Sequence, residues 1–286
     1  MREIEFGYAD VGEVKLHYAR GGDGERLVVL LHGFPEFWYS WRHQITALSD
    51  QYTVVAPDLR GYNLSDKPSD KSHYLIDHLV SDVVGLIHHF GREKAAVIGH
   101  DWGASIAWAV AAKRPDVLWK LGAVQVPPIP VWKKNQSAKQ FLASWYMFFF
   151  QLPFLPEFRL KQNNYARLVA ALRTSTVERD VFSDEDIAEY IKAWSQPGAI
   201  TAMLNYYRAN ILKRILGKGE VPAKVTVPTL FIYGEKDAAV LPATVAGVGE
   251  MIDGPYTEHR IPGSGHWVQQ EARDEVTGVL RKFLER

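Results

Sequence analysis

A mostly parallel α/β sheet, covered by helices on both faces and interrupted by an all-helical insertion, is the fold class that the sequence predicts. Three observations carry it: continuous apolar runs of strand length, helical periodicity between them, and a long stretch without strand signatures. Residues 26–31 (R-L-V-V-L-L) and 53–57 (T-V-V-A-P) are apolar without alternation, as in strands buried on both faces. Runs at 95–98 and 121–126 follow. Between them Ile76, Leu79, Val80, Val83, Val84, Ile87 and Phe90 recur at three- and four-residue spacing, so 76–90 reads as a helix. Strand and helix in alternation imply a parallel sheet. The alternation stops at Pro127-Pro128-Ile129-Pro130, where three prolines in four residues are expected to bar regular structure. From there to about Pro222 only helical patterns appear, notably 183–195 and 200–215. The most apolar stretch, Phe141 to Leu155, is too short for a bilayer span and is cut by Gln151 and Pro153; it reads as a helix lining an apolar interior, with contact at a membrane surface as the lesser alternative. Buried-strand character resumes at 227–233, with a short strand near His259–Ile261. Ala272, Val276, Val279, Leu280, Phe283 and Leu284 then share one face of a final helix. The division expected is a core of 1–127 and 226–286 around a helical cap of 128–225.

Composition removes whole classes of function. Thirty-three basic residues match thirty-three acidic ones, so no global field would recruit nucleic acid. The absence of cysteine excludes disulfides, zinc–thiolate sites, iron–sulfur clusters and a thiol nucleophile. Met1-Arg2-Glu3-Ile4-Glu5 lacks an apolar signal region, which makes a cytoplasmic location the default. His88 and His89 are adjacent and cannot share a helix face, and no H-E-x-x-H occurs, so no metal is expected. Gly21-Gly22-Asp23-Gly24 precedes a strand rather than a helix and is expected to be a hairpin turn, not a phosphate loop.

The chemistry begins at Gly99-His100-Asp101-Trp102-Gly103. The apolar run 95–98 leads in and a helix-forming segment, 104–110, leads out, giving strand, sharp turn and helix with glycine on either side of the central residue. That residue is aspartate. A serine there must lose a proton before attacking a carbonyl, whereas a carboxylate is ionised at neutral pH and suits sp3 carbon bearing a leaving group. Esterase and lipase chemistry therefore recede. Taken alone, the five residues could equally be a tight turn with Asp101 as a helix N-cap.

The remaining parts occur in the required order. Asp237, in Gly234-Glu235-Lys236-Asp237, follows a buried strand, where α/β sheets build their sites. His266 lies in the glycine-rich Gly263-Ser264-Gly265-His266-Trp267. Nucleophile, acid, histidine is the chain order of a hydrolase triad on such a sheet: Asp237 would orient His266, and His266 would deprotonate water. His32-Gly33-Phe34-Pro35 follows the strand 26–31, placing the Phe34 amide, with that of Trp102, where an oxyanion would develop.

The segments H-G-F-P, D-L-R-G-Y-N-L-S-D-K-P (Asp58 to Pro68), G-H-D-W-G-A, F-I-Y-G-E-K-D and G-S-G-H-W resemble the epoxide hydrolases of the α/β-hydrolase superfamily. In that family two cap tyrosines hydrogen-bond the epoxide oxygen. The resemblance implies that Tyr146, in Y-M-F-F-F-Q, and Tyr207, in N-Y-Y-R, hold these positions, with Tyr206 as the alternative to the second. It further implies Phe34, Trp102, Trp38, Phe150 and Trp267 as substrate contacts, a small apolar epoxide and water as reactants, a role such as detoxification, and no cofactor. Tyrosine suits the task, since its hydroxyl stays protonated at neutral pH and can stabilise the alkoxide that ring opening leaves. After Val126 the likeness fades, because Pro127-Pro128-Ile129-Pro130 departs from the family's pattern.

Two other readings compete. Haloalkane dehalogenases resemble this chain in the D-W-G elbow but usually carry asparagine where Phe34 stands and have no use for paired cap tyrosines; fluoroacetate dehalogenases carry arginine where Trp102 stands. A non-catalytic receptor of the same fold would bind an epoxide or diol without consuming it.

Overall fold

The computed structural model describes residues 3–216 and 224–286, the side chains of 212–216 excepted. Eight strands form one sheet: β1 (Glu5–Asp10), β2 (Lys15–Gly21), β3 (Leu27–Leu31), β4 (Thr53–Pro57), β5 (Ala95–His100), β6 (Leu118–Val124), β7 (Thr229–Gly234) and β8 (Tyr256–Ile261). Their order is β1-β2-β4-β3-β5-β6-β7-β8, with β1 and β2 antiparallel and every pairing from β4 to β8 parallel. Every residue of β3, β4, β5 and β7 is buried, which is why their sequences show no alternation. The helices of the core are α1 (Arg42–Leu48), α2 (Ile76–His89) and α3 (Trp102–Lys113).

The insertion between β6 and β7 supplies α4 (Ile129–Lys134), α5 (Ala138–Ala143), α6 (Trp145–Phe149), α7 (Leu155–Thr174), α8 (Asp184–Trp194) and α9 (Ala199–Leu216). After β8, α10 (Val268–Glu271) and α11 (Arg273–Glu285) end the chain, α11 burying Val276, Leu280, Phe283 and Leu284 on one face. Each such buried Leu or Val contributes roughly 1.5–3 kcal/mol.

Three local expectations are corrected. Gly21–Gly24 is not a hairpin turn, because β4 lies between β2 and β3; the hairpin is β1–β2, whose polar, half-exposed sequence carries no buried-strand signature. The triple-proline segment does not bar a helix, since α4 starts at Ile129 with Pro130 in its first turn, where the missing N–H has no partner to lose. Phe141 to Leu155 is not one helix. It is split at Ser144, which ends α5 and starts α6, and eight large apolar side chains between 141 and 158 are exposed. Helix α7 is itself broken at Gln162–Tyr165, where Asn163, Asn164 and Tyr165 take left-handed φ values of 49°, 52° and 61°. The end of the predicted insertion, 217–223, lies outside the described residues.

Candidate active site

Asp101 occupies the turn between β5 and α3 with φ 52° and ψ −115°, a conformation costing a non-glycine residue on the order of 1–3 kcal/mol. The turn is tight enough to need its glycines. A Cβ on Gly99 would stand 2.1 Å from the Gly103 backbone, and one on Gly103 would stand 2.1 Å from the Leu31 carbonyl oxygen. The Asp101 side chain makes no capping bond to α3; its Oδ1 accepts the Phe34 N–H at 2.9 Å. It is thus aimed at the loop after β3, and the N-cap reading falls.

His266 stands between two carboxylates. Its Nδ1 lies 2.8 Å from Asp237 Oδ2 and its Nε2 lies 3.7 Å from Asp101 Oδ2. Asp237 is fixed from behind, its Oδ1 accepting the amides of Ala239 (2.7 Å) and Val240 (2.9 Å). Burial raises the Asp101 carboxyl, but the hydrogen bond and charge of His266, with lesser help from His100 and the Phe34 amide, outweigh it and hold the group below the ordinary aspartate value. Burial likewise opposes the charged form of His266, yet Asp237 and Asp101 together push the imidazole well above its usual value. Both shifts favour an ionised Asp101 and a protonated His266 before substrate binds.

Above Asp101 lies a cavity of about 400 Å³ whose walls include Trp102, Tyr146, Met147, Phe148, Tyr207, Ile211 and Val240. Tyr146 comes from α6 and Tyr207 from α9, and their ring centroids are 6.0 Å apart. Burial pushes both hydroxyls up, with the Asp101 charge adding to it, while a hydrogen bond with the Trp102 side chain partly offsets the shift at Tyr207. Tyr206 points elsewhere: its hydroxyl donates to the Arg60 carbonyl at 2.8 Å. Its place as the alternative donor is therefore withdrawn.

The other expected contacts divide. Trp102 lines the cavity. Phe34 and Phe150 stand behind it, their rings 5.4 and 5.1 Å from that of Tyr207. Trp267 packs on His266 at 4.8 Å and donates its indole N–H to Ser175 Oγ, tying the histidine loop to the end of α7. Trp38 is not brought to the cavity. Its ring packs edge-on against Phe6 of β1 and against Phe37, and its amide donates to Asp58, so its predicted role as a substrate contact is corrected to packing. The Asp58–Pro68 motif likewise sends no side chain into the cavity. Asp58 meets His17 at 2.7 Å and Arg60 forms a two-pronged pair with Asp82, both buried.

Sequence reasoning missed the supports beneath the triad. Glu36 and His100 are buried, with Glu36 Oε2 2.8 Å from His100 Nδ1 and accepting the Gly33 amide at 3.1 Å. His100 Nε2 lies 2.8 Å from the His266 carbonyl, which can only accept, so Nε2 donates. This pair joins the oxyanion loop to the histidine loop. Its members flank recognised motifs, at H-G-F-P-E and G-H-D, which was the available signal. Gln125 had none. At φ 70° just beyond β6, its Oε1 accepts the Gly234 amide (2.7 Å) and its Nε2 donates to the Gly265 carbonyl, clamping the strand that leads to Asp237 against the loop that carries His266. Gln125→Met keeps the length but leaves two buried backbone groups without partners. It should cost about 2–4 kcal/mol in chemical denaturation, and a loss under 1 kcal/mol would remove the clamp from the account.

Among the described residues, one trio of metal-capable side chains converges: Glu13, His73 and His78. None of them lines the cavity, and the Arg60 guanidinium shares the same Glu13 oxygen at 3.2 Å, where it would oppose a cation.

Residues 26–272 match the α/β-hydrolase fold family. An AB hydrolase superfamily protein of Bacillus subtilis is 46% identical, with 99% of each chain covered. Epoxide hydrolase 4 of Mus musculus is 37% identical over 95% of this chain and 76% of its own. The crystal structure of a Bacillus megaterium epoxide hydrolase superposes with a TM-score of 0.87 at 31% identity, covering 98% of this chain and all of that one. The chain belongs to the α/β-hydrolase fold family and, within it, to the epoxide hydrolases.

Proposed function

We propose that the protein hydrolyses an apolar epoxide to a vicinal diol through an ester on Asp101. The observation that carries this reading is the convergence of Tyr146 and Tyr207, from separate helices of the insertion, on a cavity floored by an aspartate nucleophile. Asp101 Oδ1 is held by the Phe34 amide, which leaves Oδ2, the oxygen beside His266, to attack a ring carbon. As the C–O bond breaks, the electron pair goes to the epoxide oxygen, where one tyrosine hydroxyl delivers its proton and the other donates a hydrogen bond. Water then adds to the Asp101 carboxyl carbon while His266 Nε2 takes a proton from it. The amides of Phe34 and Trp102 stabilise the charge on Oδ1, and collapse of the adduct passes the second proton of the attacking water to the departing alkoxide, releasing the diol and restoring ionised Asp101 and protonated His266.

His266 must change roles between the steps, and the electrostatics supply the change. Its raised value rests partly on the Asp101 charge. Esterification removes that charge, so the imidazole gives up its proton to the tyrosinate left by ring opening and is neutral when a base is needed. The helices of 128–225 act as the cap domain in this scheme, excluding water from the alkylation step and carrying the donors.

A side-by-side assay of styrene oxide and 1-bromobutane tests the assignment. Diol should form from the first and no bromide from the second. Bromide release without diol would move the protein to dehalogenation, and binding of either compound without turnover would make it a receptor.

A further inference from the structure

Of the thirteen large apolar side chains exposed among the described residues, eight fall between positions 141 and 158. Phe154 is 84% exposed, Leu142 69%, and Trp145 and Phe158 62% each. Scattered exposed apolar residues are ordinary, but a concentration of this kind marks a surface that meets something apolar. Two of the eight, Phe141 and Phe148, also line the cavity above Asp101, so the apolar stretch is continuous with the cavity wall. The same segment is electrically one-sided. Between 129 and 161 stand Lys133, Lys134, Lys139, Arg159 and Lys161, all exposed, against a single acid, Glu157, which is paired with Arg208 at 2.6 Å; of the five cations Lys134 is paired with Glu250 at 2.7 Å. The chain as a whole has equal numbers of basic and acidic residues, so this excess is local.

We propose that this face of the insertion docks on an anionic lipid bilayer, with the cavity mouth toward the membrane. Aromatic and aliphatic tips flanked by basic side chains are what the boundary between headgroups and acyl chains accommodates, the apolar groups entering it and the cations meeting lipid phosphates. Such a surface calls for no spanning element, and no described helix is long and apolar enough to cross a membrane. Docking goes beyond the epoxide reading. Its consequence, that a substrate dissolved in lipid enters the site without crossing water, rests on that reading.

Flotation of the full chain with vesicles of phosphatidylcholine containing about 30% phosphatidylglycerol tests the surface directly, with pure phosphatidylcholine vesicles alongside. The protein should float with the anionic vesicles and much less with the neutral ones. The triple variant Trp145→Ser, Phe154→Ser, Phe158→Ser should lower the bound fraction at least about tenfold, and Lys139→Glu with Lys161→Glu should lower it several-fold. Neither variant touches the cavity, so both should turn over a water-soluble epoxide like the parent, which also reports that they fold. Absence of flotation with anionic vesicles, or flotation that the serine variant leaves unchanged, would overturn the proposal. So would a dimer in solution that the serine variant splits, since the face would then belong to a second copy. Flotation needs no turnover, so its failure is separable from a failure of the epoxide assay.

Discussion

His266→Gln should convert the enzyme into one that performs half a reaction. Steady-state diol formation should fall at least about 10⁴-fold, while the first attack on epoxide proceeds within about tenfold of the parent rate. The argument lies in what each step asks of position 266. Attack requires an ionised Asp101, and burial alone would work against that charge; without the imidazolium, the Phe34 amide and His100 remain to hold the carboxylate. Ester hydrolysis requires a base within reach of water, and glutamine offers none. Intact-mass spectrometry of the variant mixed with epoxide should show one added equivalent, on the peptide containing Asp101. An unmodified protein, or a variant with ordinary turnover, would end the two-step scheme. The parent enzyme's pH dependence follows from the same groups. For kcat/KM the group that must be ionised is Asp101, held below its ordinary value, so the plateau should extend down to about pH 5, more than a unit above the reference carboxylate. For kcat the group that must be neutral is His266 in the ester, so kcat should fall as pH drops through its value in that state.

What the sequence made legible was what short motifs and periodicity encode. Strands buried on both faces lack alternation, so β3, β4, β5 and β7 could be read directly; β1 at the sheet edge and β2 beside it carry polar residues among the apolar ones and could not. The convergence of Asp101, Asp237 and His266 was readable because strand, turn and helix force Asp101 into one backbone geometry, because Asp237 follows a buried strand, and because His266 lies in a glycine-rich loop. Trp38 was misread because an aromatic residue near a site motif may face either way off its backbone, and here Phe6, far away in sequence, offered the packing partner. Gln125 was invisible because its partners, Gly234 and Gly265, lie 109 and 140 residues away and are backbone groups with no side-chain signature. The stretch 141–158 was misread because apolar content alone does not say which way a side chain points once Ser144 has broken the helix.

Replacing both cavity tyrosines should arrest the enzyme one step earlier than His266→Gln does. In the double variant Tyr146→Phe, Tyr207→Phe, the carboxylate and the cavity shape persist, but the alkoxide has no donor. Loss of one such donor in an excluded site typically costs 10²–10³ in rate, so removal of two should slow alkylation by about 10⁴ or more. Each single variant should retain measurable turnover, since the remaining hydroxyl can still donate. Stopped-flow tryptophan fluorescence, with Trp102 in the cavity wall as reporter, separates the steps: the double variant should show no rapid phase on mixing with epoxide and no accumulated ester. An ester that still forms at near-parent rate would take the acid role away from both tyrosines and leave the cavity without a donor for the ring oxygen.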